Sequence, residues 1–428
     1  MHDIKKYRWI IFSILALAYL LVYFHRLCAA VVAVDIMRDL QAGGTIIGLL
    51  AAAYFYPYAL MQLPAGLLSD SLGPRRTITI FFLIAFIGSI VLSMAPDVFT
   101  AIAGRTLVGI GVSMLFVPTM KILAEWFEAR DFALMTGILI AVGGVGTLVA
   151  TSPLAWLSSA VGWRNSFLIV GFLTLLITIL VFVIVRDRPA DMGLEAIRHD
   201  NAADTEKIPL LRGVKMVLTN GHFWPLAVWF FFTSAIFFSF GGIWGGPYLM
   251  QIYGVSKAGA GSILSMLALG MIVGSPAHSY ISDRVMKGRK AVMMVSSVFT
   301  LLIIGIMTIY IDGLSVPLLY ILCFFMGMFS NAIVVIGFTS AKELFPVSIA
   351  GTATGLINLF PFAGGAVFQP VLGYVLESQG KINGIFTASG YQKAFMILTL
   401  CGIIALAASF FLKETLENTT AAKGPEPQ

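Results

Sequence analysis

The sequence predicts an all-α membrane protein, with twelve transmembrane helices in two pseudo-symmetric six-helix bundles. Three observations predict it. The 428 residues are 59% hydrophobic and 11% charged, with a mean hydropathy of +0.93, too little charge to keep so large a core dispersed in water. The apolar residues fall in twelve runs, each long enough to cross ~30 Å of hydrocarbon as a helix. A polar pattern that follows the second and fourth runs returns after the eighth and tenth.

The runs lie at about 9–34, 45–69, 76–95, 98–123, 132–158 and 165–186, then 222–250, 257–281, 290–311, 314–340, 347–376 and 391–413. Strands of a spanning β-barrel would alternate polar and apolar residues, and "TITIFFLIAFIGSIVLSM" (77–94) does not. The first run lacks a small-residue cleavage site and is too long for a signal core, so it is expected to stay as a helix. These runs divide the chain into a bundle at 1–186, a polar cytoplasmic linker at 187–221, a second bundle at 222–413 and a disordered cytoplasmic tail at 414–428. Cys28, Cys323 and Cys401 all sit inside runs, which points to packing and not to a disulfide framework.

Charge sets the expected orientation. With both termini in the cytoplasm, nineteen of the 27 lysines and arginines fall on inner loops and tails and five on outer loops, the bias that fixes topology. The remaining three, Arg26, Arg105 and Lys121, lie within runs. The net charge of +6 and pI near 9.2 therefore mark loops beside an anionic leaflet of the cell membrane and give no sign of nucleic-acid binding.

The repeat sharpens the architecture. "GLLSDSLGPRRTIT" (66–79) follows the second run as "SYISDRVMKGRKAV" (279–292) follows the eighth. "EWFEARDFALMTG" (125–137) and "ELFPVSIAGTATG" (343–355) share their Glu to Thr-Gly spacing at a shift of 218 residues. Equal positions in two six-helix halves imply a parallel duplication, with a substrate path between the halves near the midplane.

On these residues the chain resembles the major facilitator superfamily over essentially its whole length. The family's G-x-x-x-D-x-x-G-x-[RK]-[RK] loop is met by Gly66, Asp70, Gly73, Arg75 and Arg76, with Asp283, Arg284 and Arg289 in the second copy. R-x-x-x-G-x-G is met by Arg105, Gly109 and Gly111. "GWRNSF" (162–167) and "RDRPADMGL" (186–194) are similar to segments of the organic-anion and sugar-phosphate permease branches. The resemblance implies the major facilitator fold and a secondary transporter, a monomer, moving a small organic anion by alternating access. It also implies a gating role for the loop motif, beside the plainer reading of a loop that only fixes orientation.

Charge inside the membrane costs ~2.5–3.5 kcal/mol unless it meets water or a partner. Arg26 follows Tyr23 in a Y-x-x-R setting that, by the resemblance, marks anion carriers, and a guanidinium fork suits a carboxylate or phosphate. A bond to helix carbonyls is its alternative, and for Arg105 that alternative is the leading one. Lys121 either faces a cavity or snorkels to water. His25 is a candidate proton relay or a hydrogen-bonded helix histidine. Tyr54, Tyr58, Trp244, Asn331, Asn358 and Gln369 complete the candidate lining, with helix packing as the alternative for each. None of the 21 acids falls near the middle of a run, and Val112 stands where proton-coupled relatives carry a glutamate. Proton coupling through that site is therefore not expected, and the work falls to a substrate gradient or to an ion gradient, with a coupling proton or cation as the partner in the second case. No P-loop, metal cluster or cofactor motif emerges, and the chain is not expected to be an enzyme. Proton-driven efflux of amphipathic compounds and a non-transporting membrane sensor stay open beside anion symport.

Overall fold

In hydrocarbon, backbone N–H and C=O groups have no water to bond, so a long apolar run closes its hydrogen bonds within itself as a helix. The computed structural model describes residues 2–193 and 210–416. The first half comprises α1 (His2–Leu27), α2 (Ala29–Asp39), α3 (Gly44–Leu72), α4 (Pro74–Ser93), α5 (Val98–Ser113), α6 (Phe116–Trp126), α7 (Ala129–Val149) and α8 (Ser152–Ile184). A linker helix, α9 (Leu210–Leu218), precedes the second half. That half comprises α10 (Phe223–Ser239), α11 (Gly245–Ile252), α12 (Lys257–Tyr280), α13 (Arg289–Ile309), α14 (Val316–Met326), α15 (Val334–Glu343), α16 (Val347–Ile357), α17 (Leu359–Ser378) and α18 (Ala388–Phe410). A small antiparallel hairpin, β1 (Lys381–Ile382) with β2 (Ile385–Phe386), joins the last two helices.

Several expected runs are two helices in series. The first breaks at Cys28 and the eleventh at Asn358, and the seventh passes through a π-helical turn at Phe240–Trp244. Eleven stretches of the described residues are long and apolar enough to cross a membrane. One of them, Leu134–Ile184, has 51 residues, about 76 Å as a straight helix and more than twice the hydrocarbon thickness. Its backbone leaves the helical region at Thr151 and again at Gly162, where φ is +81°. Its length is therefore that of more than one pass.

The halves meet along α3 against α17, α7 and α8 against α12, and α2 against α11. Of the expected linker, 194–209 lies outside the described residues, and so does 417–428 of the expected tail. Glu414 and Thr415 are fastened to the second bundle, because its α13 presents open backbone N–H groups that a carboxylate satisfies.

Candidate functional site

Arg26 lies in the last turn of α1, just before the break at Cys28, and is 8% exposed. Its Nη2 donates to the Tyr58 hydroxyl at 3.1 Å. The guanidinium carbon stands 4.3 Å from the Tyr23 ring centre, 4.9 Å from Phe362 and 5.2 Å from Tyr58. Such ring faces attract a cation through their quadrupoles. Tyr23 and Tyr58 belong to the first half and Phe362 to α17 of the second, so the arginine sits where the halves meet. Its Nε has no partner, and no described carboxylate comes within 4.0 Å of it.

Arg105, on α5, is 1% exposed and lies against the same turn of α1. Its Nη1 donates to the His25 carbonyl at 3.0 Å and meets the Cys28 sulfur at 3.6 Å. Its guanidinium carbon stands 5.1 Å from the Tyr54 ring centre, while Nε and Nη2 are unpartnered. Tyr54 and Tyr58, one turn apart on α3, stack with ring centres 5.7 Å apart. His25 is fully buried and neither ring nitrogen has a partner. The structure thus gathers Tyr23, His25, Arg26, Tyr54, Tyr58 and Arg105 in one place and adds Phe362, which the sequence reading missed. Nothing distinguishes that ring by sequence in a chain with 33 phenylalanines.

The other expected lining residues have partners of their own. Trp244 Nε1 donates to the Gln369 carbonyl and Gln369 Nε2 to the Phe238 carbonyl, each at 2.9 Å, so these two buried groups tie helices of the second half together. Asn331 Nδ2 contacts the Met271 sulfur at 2.8 Å. Asn358 Nδ2 donates to Gln62 Oε1 at 3.0 Å, a link between halves. Lys121 is half-buried on α6 and is not free.

At the end carrying the termini, the two copies of the loop motif are braced alike. Gly73 turns the chain between α3 and α4 with φ +83°. Asp187, just past α8, accepts from the Arg75 backbone N–H at 2.6 Å. A cleft of ≈ 390 Å³ is lined there by Leu72, Arg75, Arg76, Arg186, Asp187 and Asp191. The side chains at Gly66 and Asp70 lie outside the described residues. In the second copy, Glu414, just past α18, accepts from the backbone N–H groups of Arg289 at 2.8 Å and Lys290 at 3.1 Å. The Arg289 side chain reaches Asp283 and forks onto Glu343 at 3.1 and 3.3 Å, while Arg284 is exposed. These bonds stay within each half. At the opposite end the charged contacts cross between halves: Lys257 pairs with Asp35, and Glu377 accepts from Thr45 N at 3.1 Å and Oγ1 at 2.6 Å.

Burial pushes the Glu414 carboxyl up, but the N–H groups of Arg289, Leu416, Lys290 and Thr415 outweigh it and hold the group below the ordinary glutamate value of 4.5. A depressed folded value means that the stabilisation is present above pH 4.5 and is lost as pH falls through the folded value. Glu414→Gln is therefore expected to lower stability by ~1 kcal/mol near neutrality, as losing a helix cap does. Thermal unfolding of purified protein across a pH series should show the difference from wild type shrinking in acid.

The family profile described as the Major Facilitator Superfamily matches residues 15–246 and again 242–427. The chain belongs to the Major Facilitator Superfamily. Among curated members of the superfamily it is 25% identical to the probable sulfoacetate transporter SauU of Cupriavidus necator, over 95% of this chain and 94% of that one. It is 22% identical to the probable galactarate/D-glucarate transporter GudP of Escherichia coli, over 88% and 89%. It is 23% identical to a probable hexose phosphate transport protein of Chlamydia pneumoniae, over 98% and 94%. Among solved structures, a bacterial homologue of the human lysosomal transporter Spinster, inward-facing and unoccupied, superposes with a TM-score of 0.76 at 17% identity, covering 99% of this chain and all of that one. A D-xylose–proton symporter gives 0.75 at 14% identity, over 95% and 97%. At those identities the structures speak for the fold alone. This superfamily member is a multi-pass membrane transporter of a small molecule.

Proposed function

We propose that the protein is a secondary transporter that moves a small organic anion, a carboxylate or a phosphorylated metabolite, across the cell membrane by alternating access. One observation carries the reading. Arg26 is buried between the halves, ringed by Tyr23, Tyr58 and Phe362, with an unused Nε and no acid beside it among the described residues. A cation kept there at such cost is explained by a ligand that neutralises it. The printed names of the relatives support an anion, since sulfoacetate, glucarate and hexose phosphate all present oxyanions to a guanidinium fork.

The bias of nineteen basic residues against five supports cytoplasmic termini. In that orientation Asp35–Lys257 and Glu377–Thr45 close the outer side, and the motif residues Gly66, Asp70, Gly73, Arg75, Arg76, Asp283, Arg284 and Arg289 gate the inner side of a monomer. Counterflow in proteoliposomes tests the function. Labelled sulfoacetate, glucarate and glucose 6-phosphate are offered to vesicles preloaded with the same compound, and saturable entry of at least one is expected. No counterflow with any of them, alongside efflux of lipophilic cations, would replace this reading with export of amphipathic compounds.

A further inference from the structure

We propose that Arg105 is a second anion anchor, so that the cargo is a dianion whose two acidic groups are held by Arg26 and Arg105 beside the Tyr54–Tyr58 stack. This rests on the anion-transport reading above and narrows its substrate class. Arg105 carries five N–H donors in a rigid fork, yet the structure uses only Nη1, on the His25 carbonyl and the Cys28 sulfur. A single bond to one carbonyl does not need a guanidinium, and a neutral amide would make it without burying a charge. Nε and Nη2 remain buried and unpartnered.

The neighbourhood repeats the pattern. Arg26 Nε and both ring nitrogens of His25 are also buried without partners, so five orphan nitrogens lie on three adjacent side chains. Native proteins leave few such atoms, and a cluster of them marks groups that are satisfied when something binds. Both arginines abut the α1 turn at 25–28, and each covers one ring of the stacked tyrosine pair, Arg105 over Tyr54 and Arg26 over Tyr58.

The charge balance then sets the cargo. Two fixed positive charges occupy the core, and none of the 21 acids falls near the middle of an apolar run to offset them. A monoanion would leave one guanidinium uncompensated in a low-dielectric site, whereas a dianion neutralises both. Because the two guanidinium groups belong to different helices and rest against different rings of the pair, a cargo with its acids on two centres joined by a short linker suits them best.

Binding to the purified full-length protein tests this, with malonate, succinate, glutarate and adipate each compared with its monomethyl ester. At least one dicarboxylate should bind about tenfold or more tightly than its ester, the discrimination expected when a buried charge is left unpaired. Arg105→Gln should weaken that dicarboxylate about tenfold and bring acid and ester to within about threefold of each other, and Arg105→Lys should recover part of the difference. The wild-type comparison needs no variant, and equal affinity for every acid and its ester overturns the inference. So does a preference that survives Arg105→Gln. The two proposals fail differently. If acids and esters bind equally and Arg26→Gln abolishes both, only the dianion is wrong; if no anion binds at all, the transport reading falls with it.

Discussion

If the cargo is an anion, Arg26→Ala and Arg26→Lys are each expected to reduce its saturable uptake by about a hundredfold in proteoliposomes. A guanidinium holding an oxyanion makes two charge-assisted hydrogen bonds worth ~1.5–3 kcal/mol each, and losing both accounts for that factor. Alanine removes charge and fork together. Lysine keeps the charge, but its ammonium is a point donor that neither forks nor lies flat among Tyr23, Phe362 and Tyr58. The lysine variant therefore separates a specific anion contact from a general need for positive charge. Thermal unfolding of each variant shows whether the fold is kept, and uptake within about threefold of wild type by a folded lysine variant rejects the fork as the contact.

Gly246→Val is expected to abolish uptake without unfolding the protein. A Cβ at Gly246, on α11, would lie 1.9 Å from the Ala30 carbonyl oxygen on α2. Backbone oxygen cannot swing aside as a flexible side chain does, so the two helices must separate. That contact runs between the halves at the end closed by Asp35–Lys257 and Glu377–Thr45, and separating them leaves each bundle's own packing whole. Gly270 provides the contrast. Its Cβ would also lie 1.9 Å from a carbonyl oxygen, that of Phe324, but inside the second bundle. Gly270→Val should therefore destabilise the fold by several kcal/mol, in the range of overpacked cores. With Gly246→Val, a cysteine placed at Ile47, buried at this end of α3, should label faster from the outside than the same cysteine in a protein that keeps Gly246, while the unfolding temperature holds. Slower labelling, or early unfolding, rejects the assignment of this contact to closure.

The helical architecture was legible because lipid imposes one demand on every run, and the sequence meets it without interruption. The breaks inside the runs were not legible. Asn358 comes before Pro361, which has no N–H for the Ile357 carbonyl, a local signal lost in an otherwise apolar run, and nothing in the sequence marks Cys28 as a break. Arg26 announced itself, because a cation in an apolar run has few bland explanations. Trp244 and Gln369 did not separate from it by sequence: a polar group in a membrane helix is as well served by a neighbour's carbonyl as by a ligand, and here each tie is to a carbonyl of the same half. Asp187 and Glu414 looked like loop charges. Only the duplication hints at them, as each is the first acid past the last helix of its half, and both bond the start of the third crossing.

If alternating access moves the two guanidinium groups through the membrane field, with no described acid beside them, voltage would act on the transport cycle. Any part of the transmembrane potential through which they are displaced acts on two positive charges, at ~2.3 kcal/mol per charge per 100 mV. With the doubly negative cargo proposed above in place, the moving ensemble is neutral and the potential has no grip on it. The interior-negative potential of a living cell would then hold the empty protein toward the cytoplasmic side and leave the loaded step untouched, so that electrical work falls entirely on the unloaded return.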